Sequence, residues 1–398
     1  MLSQIHTGIA LRKTDGAADR SAPNLNLSNT QEKLDAHKHE SAFLDLGMEH
    51  WLPFVEDLSF PTASMALTVA DAELIRSCYK HLHEGIDPKV TLDPKMTDAL
   101  VALGHRLAPL MAKYGAAEDG SVFTKLSGRS AKDAPLHTRR LDDELARRLG
   151  GKGDADAALA HLFEASLAIA KVTEPAHALW LLVNSSRVEE DLDVALRHPE
   201  RWDQSLIVRT WWSGVSSDLE FRMFVHAGQP TGITQYNQLL FSPRIAGRGA
   251  IIAAALKRYF EEVVRSRLDG TPFDAAVSGR YACDLALHPD ALAVLDAAAA
   301  AGEQTPLLSR GHVQLVELNC FYEATGMGLF DYHRDQHALT HGPFEWRVLT
   351  EPQPKMEIKM EREWREVIRS CIQHDSKDAP ERRYTDAAWD QLDEAMQS

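Results

Sequence analysis

The chain is poor in cysteine. Cys78, Cys283, Cys320 and Cys371 are widely scattered and form no Cys-x-x-Cys pair. That excludes a disulfide framework and a structural zinc site as organising devices, and it suits a reducing compartment. Long apolar runs are missing too. Nothing approaches the ~20 residues of a membrane helix, and the alanine-rich stretch from Ala291 to Ala301 is interrupted by Asp296. Met1-Leu-Ser-Gln-Ile-His-Thr7 lacks the apolar segment of a secretory signal, so a cytoplasmic protein off the membrane is expected. Excess positive charge is also lacking. A formal net charge of −15 weighs against a nucleic-acid partner, whose binding rests on neutralised phosphates. It says little about a small anionic ligand, because net charge is a global property. A monomer is expected.

What is present divides into four parts: a polar leader over residues 1–42, an N-terminal lobe over 43–208, a second lobe over 209–350, and a charged, partly helical tail over 351–398. Helices are expected at Pro94–Lys113, Asp156–Val172, Ser186–Leu196 and, most clearly, Ile245–Leu268, where Ile252, Leu256, Tyr259 and Val263 return at helical spacing. Strands are expected at Ser121–Leu126, Ala178–Val183 and Ser205–Trp212. Leu219–Val225 alternates, turns at Ala227-Gly-Gln229 and returns as Thr231–Tyr236, which predicts a hairpin. Arg280–Leu287 and His312–Asn319 read as a last strand pair around a helical insert. In the tail, Trp364, Val367 and Ile368 are the anchors. This order predicts an α+β fold.

The chemistry concentrates on the final strands. Strand residues two apart face one way, so Val313, Leu315, Glu317 and Asn319 are expected on one face that turns polar at its end. Mg²⁺ takes oxygen ligands, commonly one or two carboxylates with phosphate oxygens. Glu317, Asn319 and Asp284 on the neighbouring strand offer such a set; equally, Glu-x-Asn arises by chance and Asp284 could cap a turn. Upstream cations add weight. Lys125, Arg209 and Arg222 lie on predicted strands, Lys132 lies in a loop, and a buried arginine is costly unless it meets an anion. Trp211 or Trp212 could wall an adenine or simply fill the core. Arg222 beside Glu220 also reads as a surface ion pair.

Three other patterns lead nowhere. His333, His337 and His341 recur every fourth residue, but Gly342-Pro343 breaks the segment and no cysteine or carboxylate motif accompanies them. His333-Arg-Asp335 mimics a kinase triplet without its asparagine, since Thr340 stands there, and Gly150-Gly-Lys-Gly153 lacks phosphate-loop spacing.

The order of the motifs resembles the cell-division-cycle protein 123 family. Phe123-Thr-Lys-Leu-Ser-Gly-Arg-Ser-Ala-Lys-Asp-Ala134 is similar to its "phe-pro-lys-leu … ser-pro-lys/arg-asp-ala" element, and Val208-Arg-Thr-Trp211 to its "leu-arg-lys-trp". Glu220-Phe-Arg-Met-Phe-Val225, Ile233-Thr-Gln-Tyr236, Asp284, Val316-Glu-Leu-Asn-Cys-Phe321 and Leu329-Phe330 continue the series. Here Ala131 stands for proline, Tyr236 for arginine, Glu317 for aspartate and Cys320 for proline. The resemblance implies a two-lobed ATP-grasp-like fold with ATP and Mg²⁺ between the lobes. It implies Lys125, Ser130, Lys132, Asp133, Arg209, Trp211 and Arg222 around the nucleotide, and Asp284, Glu317 and Asn319 around the metal. Family members in eukaryotes are assembly chaperones of translation initiation factor 2 that bind its gamma subunit, a cell-cycle role. An ATP-grasp ligase joining a carboxylate to an amine is the alternative that the same fold allows.

Overall fold

Apolar residues three and four apart build the first helices. The structure, a computed structural model, describes residues 40, 44–84, 90–117, 119–150, 155–322, 325–353, 360, 362–372 and 382–398. The expected leader (Glu40 apart) and the glycine run beyond Gly150 lie outside the described residues. Helix α1 (Met48–Val55) buries Met48, Trp51 and Val55. Strand β1 (Thr62–Ala66) leads to α2 (Val69–His83), which starts on a reciprocal cap between Thr68 and Asp71. In α3 (Pro94–Gly115) the expected stripe of Leu100, Leu103, Leu107 and Met111 is buried. Strand β2 (Val122–Leu126) follows, then α4 (Arg139–Leu149), α5 (Ala155–Ala170), α6 (Pro175–Val183) and α7 (Ser186–Arg197).

Helix α6 stands where the sequence predicts a strand, at Ala178–Val183. Pro175 occupies the first turn, where its missing N–H costs nothing, and every residue from Ala176 to Val183 is buried. A helix buried on all sides shows no 3.6-residue period, so its apolar run looks like a core strand.

Strand β3 (Ser205–Thr210) lies between β1 and β2 in an antiparallel three-stranded sheet. Strands β4 (Glu220–His226) and β5 (Gln229–Gln235) form the expected hairpin. Its two-residue turn, Ala227 and Gly228, has φ of 51° and 69°, the left-handed pair such a turn needs. The long helix breaks once, at Gly247. Thereafter α8 (Gly249–Tyr259) runs on through a π-turn, Phe260–Val264, to Leu268. Strand β6 (Tyr281–Leu287), helix α9 (Asp290–Ala300), strand β7 (Val313–Cys320), helix α10 (Gln336–His341) and strand β8 (Glu345–Arg347) follow. The second sheet has the order β7-β6-β4-β5-β8, antiparallel except for β8 on β5. Helices α11 (Arg362–Ile372) and α12 (Asp386–Gln397) end the chain. The fold is thus α+β with two sheets, and among the described residues no helix is long and apolar enough to cross a membrane.

Three apolar clusters hold these elements. The first joins helices α2 to α7 with the face of the small sheet that carries Leu206 and Val208, and it takes in Val367 of α11 and Trp389 of α12. The second lies between the large sheet and α8, with Trp51 of α1 and Ile207 of β3. The third, around Phe224, Phe321 and Phe330, covers part of the large sheet's opposite face. Because residues alternate, Lys125 and Arg209 share the side of Ile207, away from the helices.

Trp389 is the tail's principal anchor. Its ring stacks 4.1 Å from His177 and 4.6 Å from Trp180, with the Arg140 guanidinium 3.6 Å from its centroid. Truncating a buried tryptophan typically costs about 3–5 kcal/mol. Trp389→Ala is therefore expected to lower the urea midpoint clearly; an unchanged midpoint would mean that α12 adds nothing to the first core.

Candidate nucleotide and metal site

Strand β7 has one residue more than its partner can match. Asp284 pairs with Glu317, but Leu285 pairs with Leu315, so Val316 is the extra residue of a β-bulge. Before the bulge, Val313 and Leu315 enter the second cluster; after it, Leu318 does. Glu317 and Asn319 therefore turn to the opposite face from Val313 and Leu315, which corrects the expectation that all four share one. The bulge delivers them to the side of Arg222 and Asp284. Thr234, Arg222, Asp284 and Glu317 stand in register across β5, β4, β6 and β7.

This row pairs its own charges. Arg222 donates from Nε and Nη2 to the two Asp284 oxygens at 2.8 and 2.7 Å, and from Nη1 to the Gly326 carbonyl at 2.5 Å. It is 5% exposed, so it is not the surface partner of Glu220. Burial opposes its charge, yet the Asp284 carboxylate holds the guanidinium above its ordinary value. Burial pushes Asp284 up against the pull of Arg222, and the nearby Glu317 charge adds to the rise. The Asn319 amide donates to Asp284 Oδ2 at 2.9 Å and to Glu317 Oε2 at 3.3 Å.

The small sheet completes the site from the other side. Lys125, 2% exposed, forms an ion pair with Glu317 and donates to the Gly128 carbonyl at 2.8 Å. Burial draws the lysine pKa down, against the attraction of Glu317. Burial would raise Glu317, but Lys125 and Arg209 bring it to about 2. Arg209 is 3% exposed, and its Nε and Nη2 find no hydrogen-bond partner among the described residues. Burial lowers it to about 10, with Glu317 opposing. The Glu317 carboxylate is the negative charge acting on it, and the Phe60 ring lies 5.2 Å from the guanidinium.

The remaining residues named from the sequence fall into two groups. Lys132 reaches the row, with Nζ 3.1 Å from the Tyr236 hydroxyl; the Tyr236 ring lies 5.3 Å from that nitrogen and 4.8 Å from the Arg222 guanidinium. Ser130, Asp133 and Trp211 are engaged elsewhere. Asp133 accepts from the Ser185 and Ser186 hydroxyls and from the Ser186 and Arg187 amides, closing the N-terminus of α7. The Ser130 carbonyl accepts from Arg187 Nε at 3.1 Å. Trp211 continues β3 beyond Arg209, its amide donating to the Ser121 carbonyl at 3.3 Å and its ring 5.9 Å from Lys171 Nζ.

Glu220, which the sequence offers only as a surface partner of Arg222, belongs to the row. Glu220 shares the face of Arg222 by alternation, which was the signal available. Burial, then Asp284, raise its pKa to about 8, against Lys132 and Arg222. A surface hollow of about 330 Å³ sits at the other end of β4, lined by Ala227, Asp269, Asp274 and Gly279; no lysine or arginine lines it.

The donor set fits a hard cation and a polyphosphate. Two carboxylates and an amide meet within hydrogen-bond distance, the oxygen-rich chemistry Mg²⁺ takes. The amide's N–H bonds now stand between the carboxylates where positive charge is favoured. The cations Lys125, Lys132, Arg209 and Arg222 gather around the same face.

The raised Glu220 sets a pH dependence. The folded state holds its proton up to about 8, whereas the unfolded side chain loses it near 4.5. Stability from this group is full below the lower value and lost as pH rises through the upper one. The urea midpoint should fall between pH 5 and 8, and Glu220→Gln should flatten the fall. Equal slopes in both proteins would rule Glu220 out as the cause.

A comparison with curated proteins found no match. Two solved structures of Cdc123 from Schizosaccharomyces pombe are similar to the chain at 16% identity and a TM-score of 0.48 each. The C-terminally truncated form covers 78% of this chain and 98% of its own; the other covers 79% and 98%. The D123 family model matches residues 156–380, which takes in Arg209, Arg222, Asp284, Glu317 and Asn319 and begins after Lys125 and Lys132. That is more than half of the chain, and the chain belongs to the D123 family, that of the cell-division-cycle protein 123.

Proposed function

We propose that the chain binds ATP with Mg²⁺ between its two sheets, in the manner of an ATP-grasp fold. The observation that carries this reading is Arg209, a buried guanidinium with two nitrogens that find no partner among the described residues, beside the Lys125–Glu317 pair. Asp284, Glu317 and Asn319 would hold the cation. Lys125, Lys132, Arg209 and Arg222 would meet the phosphates. The cation supplies neutralising charge when bound; the chain's own residues position the phosphates and keep water from them. Asp133 and Ser130 act at one remove, by fixing the loop that carries Lys132 to the start of α7.

In this reading ATP draws the two sheets into one binding surface without obligatory turnover. Membership of the family supports the further step, that the surface serves a protein under assembly. In a eukaryotic cytoplasm that protein is translation initiation factor 2, bound through its gamma subunit.

Calorimetric titration with ATP and Mg²⁺ should show binding by the native chain. Arg209→Ala should weaken it by about a hundredfold, in line with about 3 kcal/mol for a buried charge-assisted contact. Asp284→Ala and Asn319→Ala should abolish the dependence on Mg²⁺. Asp133→Ala should cost about 1–2 kcal/mol of stability as a lost cap and leave affinity within a few-fold. Native affinity in Arg209→Ala would sink the site. Failure to recover the gamma subunit by pull-down with ATP and Mg²⁺ present would sink the partner.

A further inference from the structure

Residues 382–398 lie over the first core as a strap. Arg382 pairs with Asp142 and donates to the Leu136 carbonyl, and the Tyr384 hydroxyl donates to Asp142 Oδ2 at 2.5 Å. Arg383 donates to the carbonyls of Leu82 and His83. The Thr385 amide donates to the His137 carbonyl at 2.9 Å, and the Asp386 carboxylate accepts from the Arg139 amide at 3.0 Å. Farther on, the Gln391 amide exchanges two hydrogen bonds with the Leu92 backbone, at 2.8 and 3.1 Å.

Two histidines lie under the start of this strap. His83 ends α2, and His137 ends the short turn Ala134–His137. Their rings meet edge to face at 4.7 Å, and the far side of His83 stacks on Tyr79 at 4.4 Å. The His83 Nε2 is buried and finds no partner among the described residues. The strap sets Arg382 and Arg383 beside the pair. Asp133 faces it too, but its oxygens are engaged by Ser185 and Ser186 at the start of α7.

We propose that residues 382–398 form a strap that acid releases, with His137 as the group whose protonation releases it. A proton on His137 would place a third positive charge beside two arginines that are themselves tied to this spot, and would bury it. Opening the strap removes the arginines and lets water reach the ring. Burial, then His83, Arg382 and Arg383, hold the docked His137 near 4 against the pull of Asp133, below its ordinary 6.5. His83 is drawn down in the same way by burial and Arg383, against Asn184 and Asp133. A neutral His137 therefore favours the docked strap in full above 6.5, and this is lost as pH falls toward 4. Release frees the turn from Ala134 to His137 and uncovers the Trp180 ring, whose Nε1 donates to Thr385.

Glu220 acts in the opposite sense on the whole fold, so release is read locally, by amide hydrogen exchange corrected for the intrinsic effect of pH. Between pH 7 and 5.5 the amides of α12 should lose about tenfold in protection, the linkage of one proton over one pH unit, while those of α8 keep theirs. His137→Phe, which keeps a ring against His83, should hold α12 protected across the range; His137→Gln, neutral and smaller, serves the same comparison if the ring is not tolerated. Constant protection of α12 in the native chain would overturn the strap, and so would a parallel loss in α8, which would mean global unfolding. A loss that persists in both variants would overturn the role of His137 and pass it to another group, such as the His177 stacked on Trp389 and held near 4 by burial.

Discussion

A lysine buried between two sheets is the constraint on which the site depends. Lys125 cannot hold its charge there unless an acid meets it, and the acid comes from a strand almost two hundred residues later. Their pairing fixes how close the small sheet stands to the large one on its polar side. On the apolar side the same approach is fixed by Ile207, which enters the cluster beneath the large sheet, and by the Ser59 hydroxyl, which donates to the Leu315 carbonyl at 2.7 Å. Apolar contact sets a distance without choosing a register. The ion pair chooses one, because one Glu317 oxygen meets Lys125 while the other keeps Asn319.

That orientation exists because of the bulge at Val316. A regular β7 would place Glu317 beside Val313 and Leu315 in an apolar core, and a carboxylate without a partner there would be strongly unfavourable. One unpaired residue in the ladder costs far less, and it re-aims two polar side chains together. The apolar neighbour Leu318 then returns to the core, so the strand keeps its burial on both sides of the irregularity.

Local patterns in the sequence carried most of the fold. The stripe of α3, the hairpin of β4 and β5 and the last strand pair were legible because each repeats at the period of its own structure. Helix α6 was not, since burial on every side erases that period. The tail was legible as partly helical, but the docking of α12 was not, because its few apolar positions gain meaning only against Trp180 and His177. For the site, residue types and order pointed to Asp284, Glu317 and Asn319 and to the cations opposite them. What no local pattern contains is who pairs with whom. Arg222 was weighed as a partner of Glu220, its strand neighbour, whereas it holds Asp284 across the sheet. The bulge is invisible for the same reason, since it is a mismatch between two strands and a property of neither alone.

The charge balance of the row explains why an acidic chain can still receive an anion. Asp284 and Glu317 are each neutralised by one cation, so the face toward the small sheet carries little net charge from them. Arg209 remains as a guanidinium with open donors, and Lys132 stands over a tyrosine ring. An arginine at position 236, as the family resemblance would have it, would put a further positive charge between Arg222 and Lys132. The ring does the opposite. It offers a π-face to both without adding charge. Field at short range, set by these few groups, therefore differs in sign from the net charge of the whole chain, and it is the short-range field that a buried ligand meets.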